Sequence, residues 1–151
     1  MRCACLLVVD ISLDKWKGNV NINAIILAAK LGRARKDAQE DTCAVFAAAL
    51  YDVLAEHGVA CQMAVAETQG LGAWAHSVVD VAGRYYDSMG EFSTDIYRVR
   101  ARIHPKAGLA IQYRPDSRHD CYEPEFDEMH SFYVKMLNKA LCEQAAEAIA
   151  V

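Results

Sequence analysis

Proline is scarce in this chain, with three residues in 151, and no stretch is of low complexity. That composition excludes proline-rich linkers and leaves no obvious domain boundary. Long hydrophobic runs are also missing, since none approaches the roughly 18–20 residues a membrane span needs. The apolar run Cys3–Val9 follows Arg2 in the manner of an export signal. It is short, however, and meets Asp10 without a small-residue cleavage site, so a cytoplasmic protein with no membrane partner is expected. Basic residues are not in excess: 16 Lys and Arg stand against 20 Asp and Glu, for a net charge of -4. Such a balance exerts no global pull on nucleic acid, and no nucleic-acid partner is expected. Phosphate-binding loops, dinucleotide fingerprints and metalloprotease helices do not occur, so no cofactor and no metal are expected.

What remains is ample apolar material, 54% hydrophobic against 24% charged, which suits a single domain over residues 1–151 with one core. Six cysteines stand at positions 3, 5, 43, 61, 121 and 142. In a reducing compartment these are thiols, and most should be small buried hydrophobes, a role that fits Cys61 and Cys142. Cys3 and Cys5 with His119 and Cys121 would make a zinc set only if the chain ends met, and their spacing matches no standard zinc motif.

Local patterns predict a sequence of elements. Residues 3–11 read as a short apolar strand and 12–18 as a polar loop. Asn19 or Asn21 should cap a helix to about Leu31, with Gly32 as its C-terminal cap. Gly32 to Glu40 is charged and reads as a solvated connection. Asp41 or Thr42 then caps a second helix, in which Phe46, Leu50, Val53 and Leu54 line one face and Gly58 ends the run. The small residues Ala47-Ala48-Ala49 let neighbours pack close, which makes this helix the expected centre of the fold. Strands follow at Val59–Glu67, Trp74–Val81, Arg84–Asp87, Ile96–His104 and Leu109–Tyr113, with a flexible loop at 68–72 and a polar one at 115–124. A last helix spans about Glu125–Ala150. Helix-rich ends around an antiparallel meander predict an α+β fold, with the sheet packed against the central helix.

Three residues stand out chemically. Cys43 lies just past the predicted cap, where the helix dipole and free amides favour a thiolate and could hold an oxyanion. His76 lies in an apolar strand, where its ring must find hydrogen-bond partners, and its near-neutral pKa suits it as base to a thiol. Asp87 lies on the next strand. A two-residue turn at Ala82-Gly83 would pair Val81 with Arg84 and place Asp87 diagonally from His76 on one face. A three-residue turn with a bulge at Gly83 would instead set Asp87 opposite Ser77. Each of the three residues also has a plainer reading: core filler, a satisfied buried histidine, and a strand-end Asx turn.

A cysteine opening an apolar helix, a histidine strand, and Gly-Arg-Tyr-Tyr-Asp-Ser-Met-Gly together resemble the core of the transglutaminase-like and papain-like cysteine-protease superfamily. The resemblance covers roughly residues 37–90, somewhat over a third of the chain. It implies a Cys43–His76–Asp87 triad, with Gln39 as the candidate oxyanion glutamine and Trp74 as a candidate cleft wall. The implied activity is a thiol hydrolase or acyltransferase acting on an amide, isopeptide or ester of a peptide or protein substrate. A rival reading keeps the fold without the catalysis. The chain would then be a protein-interaction or phage-type accessory module, binding through the Arg98/Arg100/Arg102 strand or the 115–124 loop.

Overall fold

A computed structural model of the chain describes residues 20–70, 75–113 and 126–149. The calls on residues 3–18, Trp74, the 115–124 loop, and the Cys3/Cys5/His119/Cys121 set lie outside the described residues.

Asn21 opens helix α1 (Ile22–Ala28) by accepting a hydrogen bond from the Ala24 amide at 3.0 Å. The helix ends earlier than its pattern suggests, capped at Ala29 rather than at Gly32. The charged stretch that follows is not a solvated connection. It forms helix α2 (Ala34–Glu40), in which Ala38 is buried while Arg35 and Gln39, four residues apart, point together at the sheet.

Helix α3 (Cys43–Glu56) is buried without a break from Ala44 to Leu50, which explains its run of small residues. Thr42 precedes it but makes no side-chain cap. Its hydroxyl turns to Tyr133 at 2.9 Å, and Tyr133 in turn donates to the Ala34 carbonyl. The expected cap by Asp41 or Thr42 is therefore replaced by a tie to the last helix, α5 (Phe126–Ile149).

The sheet contains β1 (Gln62–Gln69), β2 (Ala75–Val81), β3 (Arg84–Asp87), β4 (Gly90–Phe92) and β5 (Gly108–Tyr113). All neighbours are antiparallel, in the order β4-β3-β2-β1-β5. Together with the helices this makes an α+β fold with a five-stranded antiparallel sheet against a central helix. β1 runs on to Gln69, through residues expected in a loop, because β5 pairs with it that far.

The β2–β3 turn is the two-residue one. Val81 pairs with Arg84, and Ala82 and Gly83 both take positive φ, 54° and 83°. Asp80 accepts a hydrogen bond from the Gly83 amide at 2.8 Å and steadies that turn. At the β3–β4 turn, Gly90 has φ 103°, and any side chain there would run into Asn23, whose amide oxygen holds the Glu91 N–H at 2.7 Å.

The stretch expected to be a strand at Ile96–His104 begins instead with helix α4 (Thr94–Arg100). Ser93 caps it, accepting from the Ile96 amide at 3.2 Å, with Asp95 in the first turn and Arg98 and Arg100 in the last. The alternating arginines thus form no stripe for an anionic partner. Arg98 donates to the carbonyls of His104 and Ala107, while Arg100 turns toward Asp87 and Gln39.

The two faces of the sheet bury different clusters. Met63, Val79 and Tyr86 pack with α3, α1 and α5. Ala64, Ala66 and Val78 pack with Phe92, Tyr97 and Ile103 on the α4 side. Among the described residues no helix is long and apolar enough to cross a membrane.

Candidate functional site

His76 and Asp87 meet because of strand parity. His76, Val78 and Asp80 alternate onto the α4 face of β2, and the two-residue turn brings Asp87 onto that same face. The contact is the diagonal one: His76 Nε2 lies 3.0 Å from Asp87 Oδ2, and both side chains are 1% exposed. The extent of pairing also matters, since within β2 the partners of β3 are Val79–Val81. Residues 75–77 of β2 therefore overhang the end of β3, and the first turn of α3 closes on that overhang.

Asp87 is held by several donors besides the imidazole. The Met89 amide donates to Oδ1 at 2.9 Å, and Arg100 Nη1 stands 3.3 Å from Oδ2. The Gln39 amide also lies against it. Burial alone would raise the pKa of this carboxyl. The bonds from His76, Met89 and Gln39 outweigh it and hold the group below the usual carboxylate range. An ionised carboxylate only accepts, so Nε2 of His76 carries a proton and donates it.

That tautomer leaves Nδ1 of the neutral ring with a lone pair. Among the described residues, Nδ1 is the fully buried side-chain atom with no hydrogen-bond partner. The thiol of Cys43 stands beside this ring, and each group shifts the other's proton affinity. Burial pushes the thiol up, but the imidazole beside it and the Ser77 backbone and hydroxyl pull it lower overall. Burial likewise works against the imidazolium. Asp87 and Cys43 overcome it and raise His76 from 6.5 to about 9. Both shifts act in the sense of a thiolate–imidazolium pair.

The surroundings keep this pair in place. The His76 ring stacks on Tyr97 at 5.0 Å between centroids and tilts against Phe92 at 5.5 Å. Arg35 bridges α1 to the β3–β4 turn, donating to the carbonyls of Ile26, Ala29 and Ser88. The Ser88 hydroxyl returns a bond to the Arg35 carbonyl at 2.7 Å. Thr42 makes no side-chain cap on α3, so its hydroxyl takes up none of the amides of the first turn, which begins at Cys43.

Of the residues singled out by sequence, Cys43, His76 and Asp87 come together. Gln39 comes near them on the Asp87 side, where its Nε2 donates to Ser88 Oγ at 2.8 Å and its Oε1 accepts from Arg100 at 3.2 Å. Arg35, Ser88, Phe92 and Tyr97 were not singled out, and Arg100 was read only as part of an arginine strand, not as a partner of Asp87. A usable signal existed for two of them. Ser93 followed by an acid two residues on is a helix start, and a helix there would have put Tyr97 and Arg100 three residues apart on one face. Among the described residues no three His, Cys, Asp or Glu side chains are grouped to hold a metal ion. The chain matches no protein-family model, no curated protein and no solved structure.

Proposed function

We propose that the chain is a thiol hydrolase or acyltransferase with a transglutaminase-like or papain-like core. Cys43 is the nucleophile, His76 the base and acid, and Asp87 the group that orients the ring. One observation carries the reading: a buried imidazole, bound by a carboxylate at Nε2 and without a partner at Nδ1, stands beside a thiol at a helix N-terminus. A core histidine kept only for packing would bond through both nitrogens or lie at the surface.

Chemistry follows from the proton positions. Nδ1 takes the thiol proton, and the imidazolium is stabilised by Asp87. The thiolate attacks a carbonyl carbon, forming a C–S bond and moving the C=O electrons onto oxygen. Collapse of that adduct breaks the C–N or C–O bond, and His76 returns its proton to the leaving group. Water or an amine then attacks the thioester, again with His76 as base, and restores the thiol. The substrate class is an amide, isopeptide or ester in a peptide or protein. Against the interaction-module reading, two of the three arginines it relied on, Arg98 and Arg100, are engaged within the fold.

The test is the rate of iodoacetamide labelling of each cysteine as a function of pH, resolved by peptide mass mapping. Cys43 should label fastest at pH 6 and lose that advantage in His76→Ala. Equal labelling of Cys43 and the other thiols at pH 6, unaltered in His76→Ala, would overturn the proposal.

A further inference from the structure

Asp87 meets two cationic side chains at one oxygen. His76 Nε2 lies 3.0 Å from Oδ2, and Arg100 Nη1 lies 3.3 Å from the same atom. The carboxylate has other anchors, since the Met89 amide holds Oδ1 at 2.9 Å. Arg100 is itself fixed. Its Nη1 also donates to Gln39 Oε1 at 3.2 Å, and Gln39 Nε2 donates to Ser88 Oγ at 2.8 Å. Helix α4 therefore sets two residues, three apart, against the His76–Asp87 pair. The Tyr97 ring stacks on the imidazole, and Arg100 takes the oxygen that the imidazole uses.

Few charges face His76. Asp87 comes from β3, the Cys43 thiol from α3, and Tyr97 and Arg100 from α4. Phe92 of β4 and Ala66 of β1, which pairs with His76, carry no charge. Arg100 is the permanent cation of this set. A carboxylate shared with a guanidinium holds an imidazolium less firmly than an unshared one, and the two cations repel each other. Arg100 reaches solvent, with its side chain 32% exposed, so the effect is screened and modest.

We infer that Arg100 is a positioning residue for the proton rather than for the carboxylate: by sharing Asp87 Oδ2 with His76 it loosens the imidazolium and returns the ring to its basic form at lower pH. The inference deepens the acyl-transfer reading above and rests on it for its use. With p-nitrophenyl acetate as probe, the Cys43 thiolate adds to the carbonyl carbon and the ester C–O bond breaks. p-Nitrophenolate leaves with its electron pair and without a proton, giving S-acetyl Cys43. The imidazolium must then release its proton to solvent. Water adds to the thioester carbon as one of its protons passes to His76 Nδ1, and the C–S bond breaks. Acetic acid leaves, and the thiolate–imidazolium pair is restored. This second half requires a neutral ring.

The experiment compares the full chain with Arg100→Gln, Arg100→Met and Arg100→Lys in two assays. One follows the His76 imidazole resonance across pH by NMR, identified among the five histidines by its loss in His76→Gln. The other records the p-nitrophenolate burst and the steady rate after it, with Cys43→Ala as the blank. Both neutral variants should raise the His76 midpoint by about half a pH unit and lower the steady rate at pH 7 about threefold, with a smaller effect on the burst. Arg100→Lys keeps the cation and should stay close to the unaltered midpoint. An unmoved or lowered midpoint in the neutral variants overturns the inference, because Arg100 would then serve only to brace Asp87. An equal rise in Arg100→Lys also overturns it, because charge would not be the cause. Absence of any Cys43-dependent burst in the unaltered chain overturns the acyl-transfer reading instead, and the NMR midpoint still decides whether Arg100 shares the carboxylate's charge. Circular dichroism checks the fold of each variant. Arg100→Gln keeps a polar head for Asp87 and decides the matter alone should Arg100→Met unfold.

Discussion

The molecule contains two groupings of the same three residue types, and they behave in opposite ways. In one, His76 lies between the Cys43 thiol and the Asp87 carboxylate. In the other, His130 Nε2 binds Asp52 Oδ2 at 2.8 Å, an even shorter contact, but the thiol of Cys61 neighbours the carboxylate rather than the ring. Burial raises both thiols. The imidazolium beside Cys43 reverses that rise, whereas Asp52 adds to it and pushes Cys61 up to about 11. The sign of the nearest charge decides the outcome, not the presence of the three groups. Exposure separates the two as well. The first pair is 1% exposed on both sides, and the second is 25% and 32%, where solvent weakens its field.

Asp87→Asn should break this contrast most severely. Arg100 and His76 would lose their shared carboxylate, and His76 one of the two groups that keep it protonated. Acyl transfer should fall by about 10³-fold, as expected when the orienting acid of a triad is neutralised. Stability should fall by about 3 kcal/mol, the scale for removing one partner of a buried ion pair. Burst kinetics and urea denaturation measure the two effects, and a fully active variant would deny Asp87 its orienting role.

Next in size is the difference between the two thiols in the unaltered protein. Cys43 lies below 9.0 and Cys61 at about 11, so at pH 6 their thiolate fractions should differ by about 100-fold or more. Competitive labelling with a limiting amount of iodoacetamide reads that ratio directly. A ratio near one would mean that neighbouring charge does not govern these cysteines.

How much of this was legible in the sequence depends on whether the decisive contacts were local. The hairpin was, because Ala82-Gly83 joins two short strands, but its register was not: two turns were open, and the observed pairing of Val81 with Arg84 selects the one that puts Asp87 on the face of His76. The place of Cys43 was legible, since the burial of α3 follows from its run of small and branched residues. The span Ile96–His104 misled because Arg at every second position imitates a strand's outer face. The cap at Ser93 is local but outweighed in that pattern. Gly32–Glu40 misled for a different reason. Its charges looked solvated, while Arg35 and Gln39 are spent on Ser88, 53 and 49 residues away, and no periodicity encodes such partners. The cap expected from Thr42 failed similarly, because its hydroxyl bonds Tyr133, 91 residues on.

Acid denaturation should show a smaller effect. Asp87 is depressed below its ordinary 3.8, so its contribution is present above that pH and lost as pH falls through the lowered value. His76 works the other way. Its contribution is whole below 6.5 and lost as pH rises through about 9. Cys43 opposes His76 across that upper range, being stabilising above 9.0 and lost as pH falls, so the two partly cancel. The acid limb is therefore the clearer readout. The midpoint of urea denaturation should fall more steeply between pH 4 and pH 2 in the unaltered chain than in Asp87→Asn, which has no carboxylate to protonate. Parallel slopes would show that Asp87 is not held ionised.

The smallest effect belongs to the second grouping and tests the contrast from its other side. In Asp52→Asn the carboxylate that repels the Cys61 thiolate is gone, so that thiol should ionise more easily. Burial is the larger cause of its raised value and is untouched, as is the bond from Cys61 Sγ to the Tyr51 carbonyl at 3.8 Å. The gain should then be modest, about threefold in labelling rate at pH 8.5, far short of Cys43. His130 would lose its carboxylate partner at the same time but stay stacked on Phe126, with 5.7 Å between ring centroids. If Cys61 became as reactive as Cys43 on this change alone, burial would count for little in either grouping. The imidazole beside Cys43 would then be less necessary than its position suggests.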